Sequence, residues 1–508
     1  MKTYARKIVL ASVAFNMRIA LAQGPMMTPT PPGSQAIQLP LSGRGGQSGG
    51  VVVNQAPMPG VTSSVNTINT SIQVQNPYAG SVQSLAAGLP DGKLSLQEAI
   101  RRSLASNLGG VGTSNAARQA RGQARVTRSA LMPNLSASLR ENIQQINLAA
   151  FGFSIPSGPS VVGPFNYFDL RATLTQNIAD ITAWKNYGAA KANTEAADLT
   201  ARDARDLVIF AVSGAYLQVI AAQSRIASVT AQIETATTLF NSLRQQREAG
   251  VVAPIDVNRS QVELQTQQQR LVSVHNDLAK QKINLARIIG LSPSASFELL
   301  NELPFSPLPD LTFDQAFKEA RENRADLKSA ETQVRAAELA RSAARAERLP
   351  SLSVSADYGV IGVNPANSHG TFTVVGSLRV PIWQGGRTEG AIQQAEAALE
   401  QRRAELEDLR GRIEADLRAA FLDVAAASSQ VELARQNQEL ARDTLRLTRE
   451  RFDAGITTTV EVVQAQQSVS AAEADYITSV FAHNVAKISL ARSVGNTEQG
   501  IARFLPLQ

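Results

Sequence analysis

Leu94-Ser95-Leu96-Gln97-Glu98-Ala99-Ile100 returns 217 residues later as Leu311-Thr312-Phe313-Asp314-Gln315-Ala316-Phe317, and Met132-Pro133-Asn134-Leu135-Ser136 returns at the same offset as Leu349-Pro350-Ser351-Leu352-Ser353. Further along, Glu248-Ala249-Gly250-Val251 is matched by Asp453-Ala454-Gly455-Ile456, and Ile289-Gly290-Leu291 by Val494-Gly495-Asn496, now 205 residues apart. Matches in this order make each half one structural unit, residues 94–290 and 311–495, with 291–310 as the linker between them. The offset falls by 12 between Pro133 and about Asn177, so the first copy carries an insertion there, where a loop tolerates it.

Each unit is predicted as one helix, two strands and two further helices joined by a tight turn. Leu207, Phe210, Gly214, Leu217 and Ala221, then Val229, Ile233, Ala236, Phe240 and Leu243, recur at steps of three and four, as a coiled-coil seam requires. Leu417, Val424 and Val431 repeat at steps of seven in the second copy, and the returning helices carry Leu264, Leu271, Leu278, Leu285 and Val469, Tyr476, His483, Leu490. A continuous helix from Trp184 to Arg247 would be ~95 Å long, more than a globular domain needs. Gly250 and Gly455 stand where a helix end needs a left-handed residue, and Pro254 suits the first turn of the helix that follows.

The strands, expected at about 134–150, 165–177, 351–361 and 370–382, alternate. Phe372, Val374, Leu378 and Val380 fall on one face and Thr373, Ser377 and Arg379 on the other. The same holds for Leu352, Val354 and Tyr358 against Ser351, Ser353 and Asp357, for Phe168, Leu170 and Leu174 against Asp169, Arg171 and Thr173, and for Leu135 and Leu139 against Ser136, Ser138 and Arg140. One face suits lipid and the other a wet lumen; a half-buried sheet in a soluble domain has the same pattern. Context favours the membrane, because only long helices flank the strands and Phe151, Phe153, Phe165, Tyr167, Trp184 and Trp383 fall near strand ends. Four strands cannot close a transmembrane barrel, for which about eight is the minimum, and an open edge in lipid leaves backbone groups unpaired. Such a barrel has to be shared between chains.

Residues 1–22 combine Lys2, Arg6 and Lys7, an apolar run from Ile8 to Phe15 and the small-residue motif Ala20-Leu21-Ala22, and are expected to be a secretory signal peptide cleaved after Ala22. The apolar run is too short for a membrane anchor, which takes ~20 residues, and Arg18 interrupts its tail. Removing this segment lowers 49 Lys and Arg to 45 against 43 Asp and Glu, so the +6 of the whole chain is mostly targeting signal. No basic face interleaved with aromatics remains, and nucleic acid is not an expected partner. The chain has no cysteine, which excludes disulfides, thiolate metal sites and a lipid on an N-terminal Cys. Residues 23–90, rich in Gly, Pro, Ser, Gln, Asn and Thr, are expected to be a flexible arm, and 496–508 a short tail. The arm's Gly46-Gln47-Ser48-Gly49-Gly50 matches a nucleophile elbow only formally, since no strand and helix frame it.

The duplicated unit, the Leu-Met-Pro-Asn-Leu run that opens the first strand and Arg451-Phe452-Asp453-Ala454-Gly455 before the second tip resemble the TolC-like outer-membrane efflux protein family over roughly residues 94–495. The resemblance implies a mainly α protein with a membrane β-barrel part. In that picture each chain of a homotrimer lends four strands to a shared 12-stranded barrel in the outer membrane, and the helices form a periplasmic coiled-coil tunnel. It also implies docking to a periplasmic adaptor and an inner-membrane pump, so that the chain is the passive exit duct of a tripartite efflux pump for small molecules. A duct for type I protein secretion would share the fold, and a soluble periplasmic scaffold or adaptor is the alternative from another class. By position after each tip glycine, the family's acidic gate falls on Asp256 in the first copy and on Glu461 and Gln464 in the second; Asp256 and Glu461 are themselves 205 apart, the repeat offset. Gln464 departs from the acidic residue often found there, Thr457 stands where some members carry a latching Arg, and first-turn acids are also favoured simply by the helix dipole. The tips, with Gly250, Val251, Gly455 and Ile456, resemble the family's adaptor-docking turns, while Arg140, Arg171, Asp357 and Arg379 are the lumen-facing strand candidates. His275, His369 and His483 do not cluster, all six Met lie outside the long helices, and no Walker or dinucleotide motif occurs. The chain is therefore read as no enzyme, with no cofactor or metal.

Overall fold

The computed structural model describes residues 51–59, 66–82, 92–152, 158–300 and 305–505, and the expected signal peptide lies outside them. Two compact units are formed: one of Thr127–Lys185 with Ser342–Glu389, which holds a four-stranded sheet, and one of the other described residues, which holds helices.

In chain order the elements are β1 (Val51–Pro59), β2 (Asn66–Val74), β3 (Lys93–Leu94), α1 (Leu96–Ser106), α2 (Leu108–Ser129), β4 (Asn134–Asn147), β5 (Val161–Ala179), α3 (Ile181–Glu248) and α4 (Pro254–Ile288). The second half follows with β6 (Glu298–Leu299), α5 (Phe313–Asn323), α6 (Ala325–Ala346), β7 (Ser351–Gly362), β8 (Ser368–Arg379), α7 (Arg387–Asp453), α8 (Thr459–Val494) and α9 (Thr497–Phe504). The duplication is visible element by element, with one difference from the sequence reading: two helices, not one, precede each strand pair. Asn107 (ψ 131°) and Arg324 (ψ 116°), 217 residues apart, are extended and interrupt the helix at equivalent places. The two copies stabilise the break differently. Buried Asn107 donates to the Tyr78 carbonyl (2.7 Å) and accepts from the Gly109 N–H (2.9 Å), a side-chain cap for α2. In the second copy Asp326 accepts from the Leu327 N–H (2.9 Å) and pairs with the Arg324 guanidinium (2.7 Å). The repeated openings are caps as well, Ser95 accepting from the Glu98 N–H and Thr312 forming a reciprocal capping box with Gln315.

The expected flexible arm at 23–90 is corrected for its described part. β1 and β2 pair antiparallel from Val51↔Val74 to Pro59↔Asn66, and Tyr78 is buried in the helical core. Averaged over the whole leader, the polar composition hid the β-branched runs of Val51–Val53 and of Ile68, Ile72 and Val74, which favour paired strands. The linker 291–310 contributes β6, parallel to β3 through Leu94↔Leu299, and the tail 496–508 contributes α9, with Ile501 and Phe504 buried. The main core packs Val208, Ile209, Tyr216, Leu217 and Ile220 of α3 against Leu285 and Ile289, Ile100 of α1, and Phe481 and Ile488 of α8. Tyr216 ties this core to β3, its hydroxyl donating to the Leu94 carbonyl (3.0 Å). The α7 seam of Leu417, Val424 and Val431 is buried, whereas Leu264, Leu271 and Leu278 of α4 are only half-buried.

The sheet runs β4-β5-β7-β8, all antiparallel, so β4 and β8 are open edges of a single chain. Part of the first copy's insertion lengthens its strands, to 14 and 19 residues against 12 and 12 in the second.

Candidate functional site: a two-faced sheet and two hairpin tips

Period-two alternation in four strands at fixed register sorts the side chains cleanly. Register pairs Leu139↔Leu170, Leu170↔Val360 and Tyr358↔Phe372 keep one face apolar across all four strands. Its side chains are exposed, Leu135 and Phe372 to 76% and Leu378 to 67%, far beyond what scattered surface apolar residues explain. Trp184 and Trp383, next to strand ends, are also exposed, as is Phe151; Phe153 lies outside the described residues. The opposite face is polar. Arg171 of β5 is its hub, ion-paired with Asp357 on the neighbouring β7 and with Asp169 (3.3 Å), and donating to the Thr371 hydroxyl of β8 (3.3 Å). Arg140 stands opposite Asp169 on the same face, and Arg379 stands opposite Ser351 where β8 ends. The structure thus brings Arg140, Arg171 and Asp357 onto one polar surface, with Arg379 on the same face near its margin.

The two tips have one geometry. Gly250 (φ 76°) and Gly455 (φ 72°) are left-handed, as a Cβ-bearing residue rarely is. In the first tip the Gly250 N–H reaches the Arg247 carbonyl (2.9 Å) and the Val251 N–H the Gln246 carbonyl (2.8 Å); Gly455 to Phe452 and Ile456 to Arg451 repeat both bonds at the same lengths. This double bond pattern closes the last turn of α3 and of α7. The residues just beyond, Val251 and Ile456, are 73% and 67% exposed, so each tip presents an apolar side chain to its surroundings. Pro254 is the first residue of α4, and Asp256 and Glu461 are in the first turns of α4 and α8. Asp256 lies 3.8 Å from Arg259 and Glu461 4.0 Å from Arg451, weak solvent-side pairs. Gln464 is exposed, one turn into α8.

The polar links made by several charged groups of the helical unit escaped the sequence reading. Arg492 near the end of α8 is ion-paired with Asp203 of α3, and burial raises the nearby Asp206 carboxyl to a pKa of about 6, Asp203 adding in the same direction and Arg492 opposing. Burial, with Lys487 adding to it, lowers His483 to about 4; its ring packs 5.3 Å from that of Phe305. Lys487, lowered to about 8 by burial, donates to the Ser306 carbonyl and hydroxyl (both 2.9 Å). Arg492 with Asp203, His483 with Phe305 and Lys487 with Ser306 are far apart in the chain and leave no local signal; the spacing marks the seam but not what crosses it.

A duplicated chain of long paired helices, carrying four strands with one apolar and one polar face and two open edges, defines a helical protein whose sheet is built to be completed by other chains. The sequence profile of outer membrane efflux proteins matches residues 114–291 and 316–496, one match per repeat, and the chain belongs to that family. It is similar to the outer membrane protein TolC of Vibrio cholerae, with 24% identity over 277 residues, 53% of this chain and 63% of that protein; the match spans less than two thirds of the relative. Among solved structures, a membrane protein from Pseudomonas aeruginosa aligns at TM-score 0.69 and 21% identity, covering 79% of this chain and 93% of its own. The Campylobacter jejuni CmeC outer membrane channel aligns at TM-score 0.69 and 16% identity, covering 79% and 86%. At these identities the structural likeness speaks for the fold.

Proposed function

We propose that this chain is one protomer of a homotrimeric outer-membrane exit duct of a tripartite efflux pump, passing small molecules received from an inner-membrane pump and a periplasmic adaptor. The observation that carries the reading is the sheet. It exposes a continuous apolar face and two unpaired edges, both liabilities in a monomer in water and both removed if three copies close a 12-stranded barrel in lipid. Trp184 and Trp383 then belong to the interfacial girdle, and Arg140, Arg171, Asp357 and Arg379 face the lumen. Residues of α3, α4, α7 and α8 form the periplasmic tunnel wall, and the apolar tips at Val251 and Ile456 dock the adaptor. The test is extraction of the native outer membrane: trimers resisting heat in detergent and single-channel conductance in planar bilayers are expected, and a monomer in the soluble periplasmic fraction would overturn the reading.

The gate is assigned to Asp256 and Glu461, which supply six carboxylates per trimer, with Gln464 as a neutral neighbour. Each carboxylate is held only loosely by its arginine, so its charge stays available to a permeating cation. Replacing both by Ala should reduce cation selectivity and block by multivalent cations, read in the same bilayer recordings; unchanged selectivity and block would remove these residues from the gate.

A further inference from the structure

All four long helices line one cavity of about 70 Å³: α3 brings Gln232, α4 Glu263 and Gln267, α7 Leu445, and α8 Gln466 and Glu473. Its two carboxylates differ. Glu473 is neutralised, with Arg442 at 2.8 Å and further bonds from Ser228 and Gln232. Glu263 is only 5% exposed, and its oxygens accept from the neutral amides of Gln267 (2.8 Å) and Gln467 (3.0 Å). Among the described residues no cationic side chain is ion-paired with it. A buried carboxylate without a counter-charge is costly, even with both oxygens hydrogen-bonded.

The second observation concerns the amides. Gln466 is 7% exposed and lines the cavity, yet neither its oxygen nor its nitrogen has a partner among the described residues. Gln267 spends its NH2 on Glu263 and leaves its oxygen unpartnered at 6% exposure. Buried polar atoms are almost always satisfied, so two orphan amide oxygens beside an uncompensated carboxylate call for an occupant. The donors are all hard oxygens, without thiolate or imidazole, which excludes the preferences of zinc and copper. With Glu473 committed to Arg442, the one carboxylate left without a counter-charge is Glu263, and a single monovalent cation is what would balance it. The volume holds such an ion with one or two waters, at ~30 Å³ of liquid per water.

We propose that this cavity is a sodium- or potassium-binding site, with Glu263 supplying the charge and Gln267 and Gln466 the neutral oxygen donors. The bound ion joins α4 of the first repeat to α8 of the second. The positions 205 residues after Glu263 and Gln267 are Ser468 and Ala472, so the duplication does not repeat the donor set and each chain has one site. The inference does not rest on the duct reading, since its readouts need no transport.

The experiment is thermal unfolding of the purified full chain in detergent, in sodium, potassium or choline chloride at matched ionic strength. One alkali cation should raise Tm saturably by about 2 °C or more over choline. Glu263→Gln, which keeps the shape and removes the charge, should abolish that dependence and unfold no earlier than the wild type in choline. Equal Tm values in all three salts would overturn the site. Crystals of the wild-type chain soaked in thallium(I) or rubidium keep the question decidable if the variant does not fold: an anomalous peak inside the cavity supports the site, and water density alone there overturns it.

Discussion

Asp206 and His483 are titratable groups of the helical unit that the burial of their side chains pushes in opposite directions along the pH scale. Asp206, ordinarily at 3.8, sits at about 6, so the folded chain binds more protons than the unfolded one between those values, and stability falls as pH rises through that window. Asp206→Asn should flatten this fall, stabilising the chain above pH 6 by about 1–3 kcal/mol and changing little near pH 4. His483 moves from 6.5 to about 4, so the folded chain binds fewer protons between these values and loses stability as pH falls through them. His483→Leu should remove that acid-side loss. Because the two contributions oppose each other from about pH 4 to 6, urea midpoints measured against pH for each single variant are the right readout. An Asp206→Asn chain less stable than wild type above pH 6 would mean that the ionised carboxylate gains more from Arg492 than burial takes away. Neither position is legible as special in the sequence. A heptad marks His483 as a seam residue, which its burial bears out, and Lys487 stands one helical turn on, but its ring partner Phe305 becomes apparent only when the chain is folded.

Among the elements, the interrupted helix ahead of each strand pair is fixed by side chains, and only the first copy adds breaker residues, Gly109 and Gly110, just past the break. Asn107→Ala would strip the cap from α2 and leave the Tyr78 carbonyl without its donor in a buried place, a loss of about 1–3 kcal/mol. Arg101, on the solvent side of α1, should by contrast tolerate Ala within about 0.5 kcal/mol. Chemical unfolding of the two variants side by side checks this. Gly109 explains why the first break is also tightly packed: a Cβ there would come within 2.4 Å of the Tyr78 ring. The sequence disclosed the duplication, the long helices and both glycine tips because those depend on local pattern and on a positive φ. It did not disclose the second break, since Arg324-Ala325-Asp326 is an ordinary helical tripeptide, held at the break by the Arg324–Asp326 pair; at the first, Asn107-Leu108-Gly109-Gly110 carried a breaker signal that the helical pattern around it masked. The β1–β2 hairpin was missed for a related reason, its β-branched residues being diluted in a polar leader.

For the whole molecule, the two open strands become a geometric prediction. Within one chain β4 and β8 are separated by two intervening strands, so at ~4.8 Å per strand their backbones stand ~14 Å apart, beyond the ~7 Å Cα separation that a disulfide can span. Between copies that share a barrel, β8 of one chain must instead lie beside β4 of the next, at pairing distance. The chain has no cysteine, so introduced pairs report without background. Ser138 and Thr373 lie on the polar face of β4 and β8, where substitution leaves the apolar surface untouched. Ser138→Cys with Thr373→Cys, and the same pair shifted by two residues along β8 in either direction to sample the unknown register, should give covalent dimers and trimers on non-reducing gels after mild oxidation in outer membranes. One register should dominate, because a shift of two residues keeps the polar face but moves the cysteine ~7 Å along β8, out of disulfide reach of its partner. Failure of every pair to crosslink in membranes that still contain heat-resistant trimers would mean that the copies associate without joining these edges, and the shared barrel would have to be abandoned.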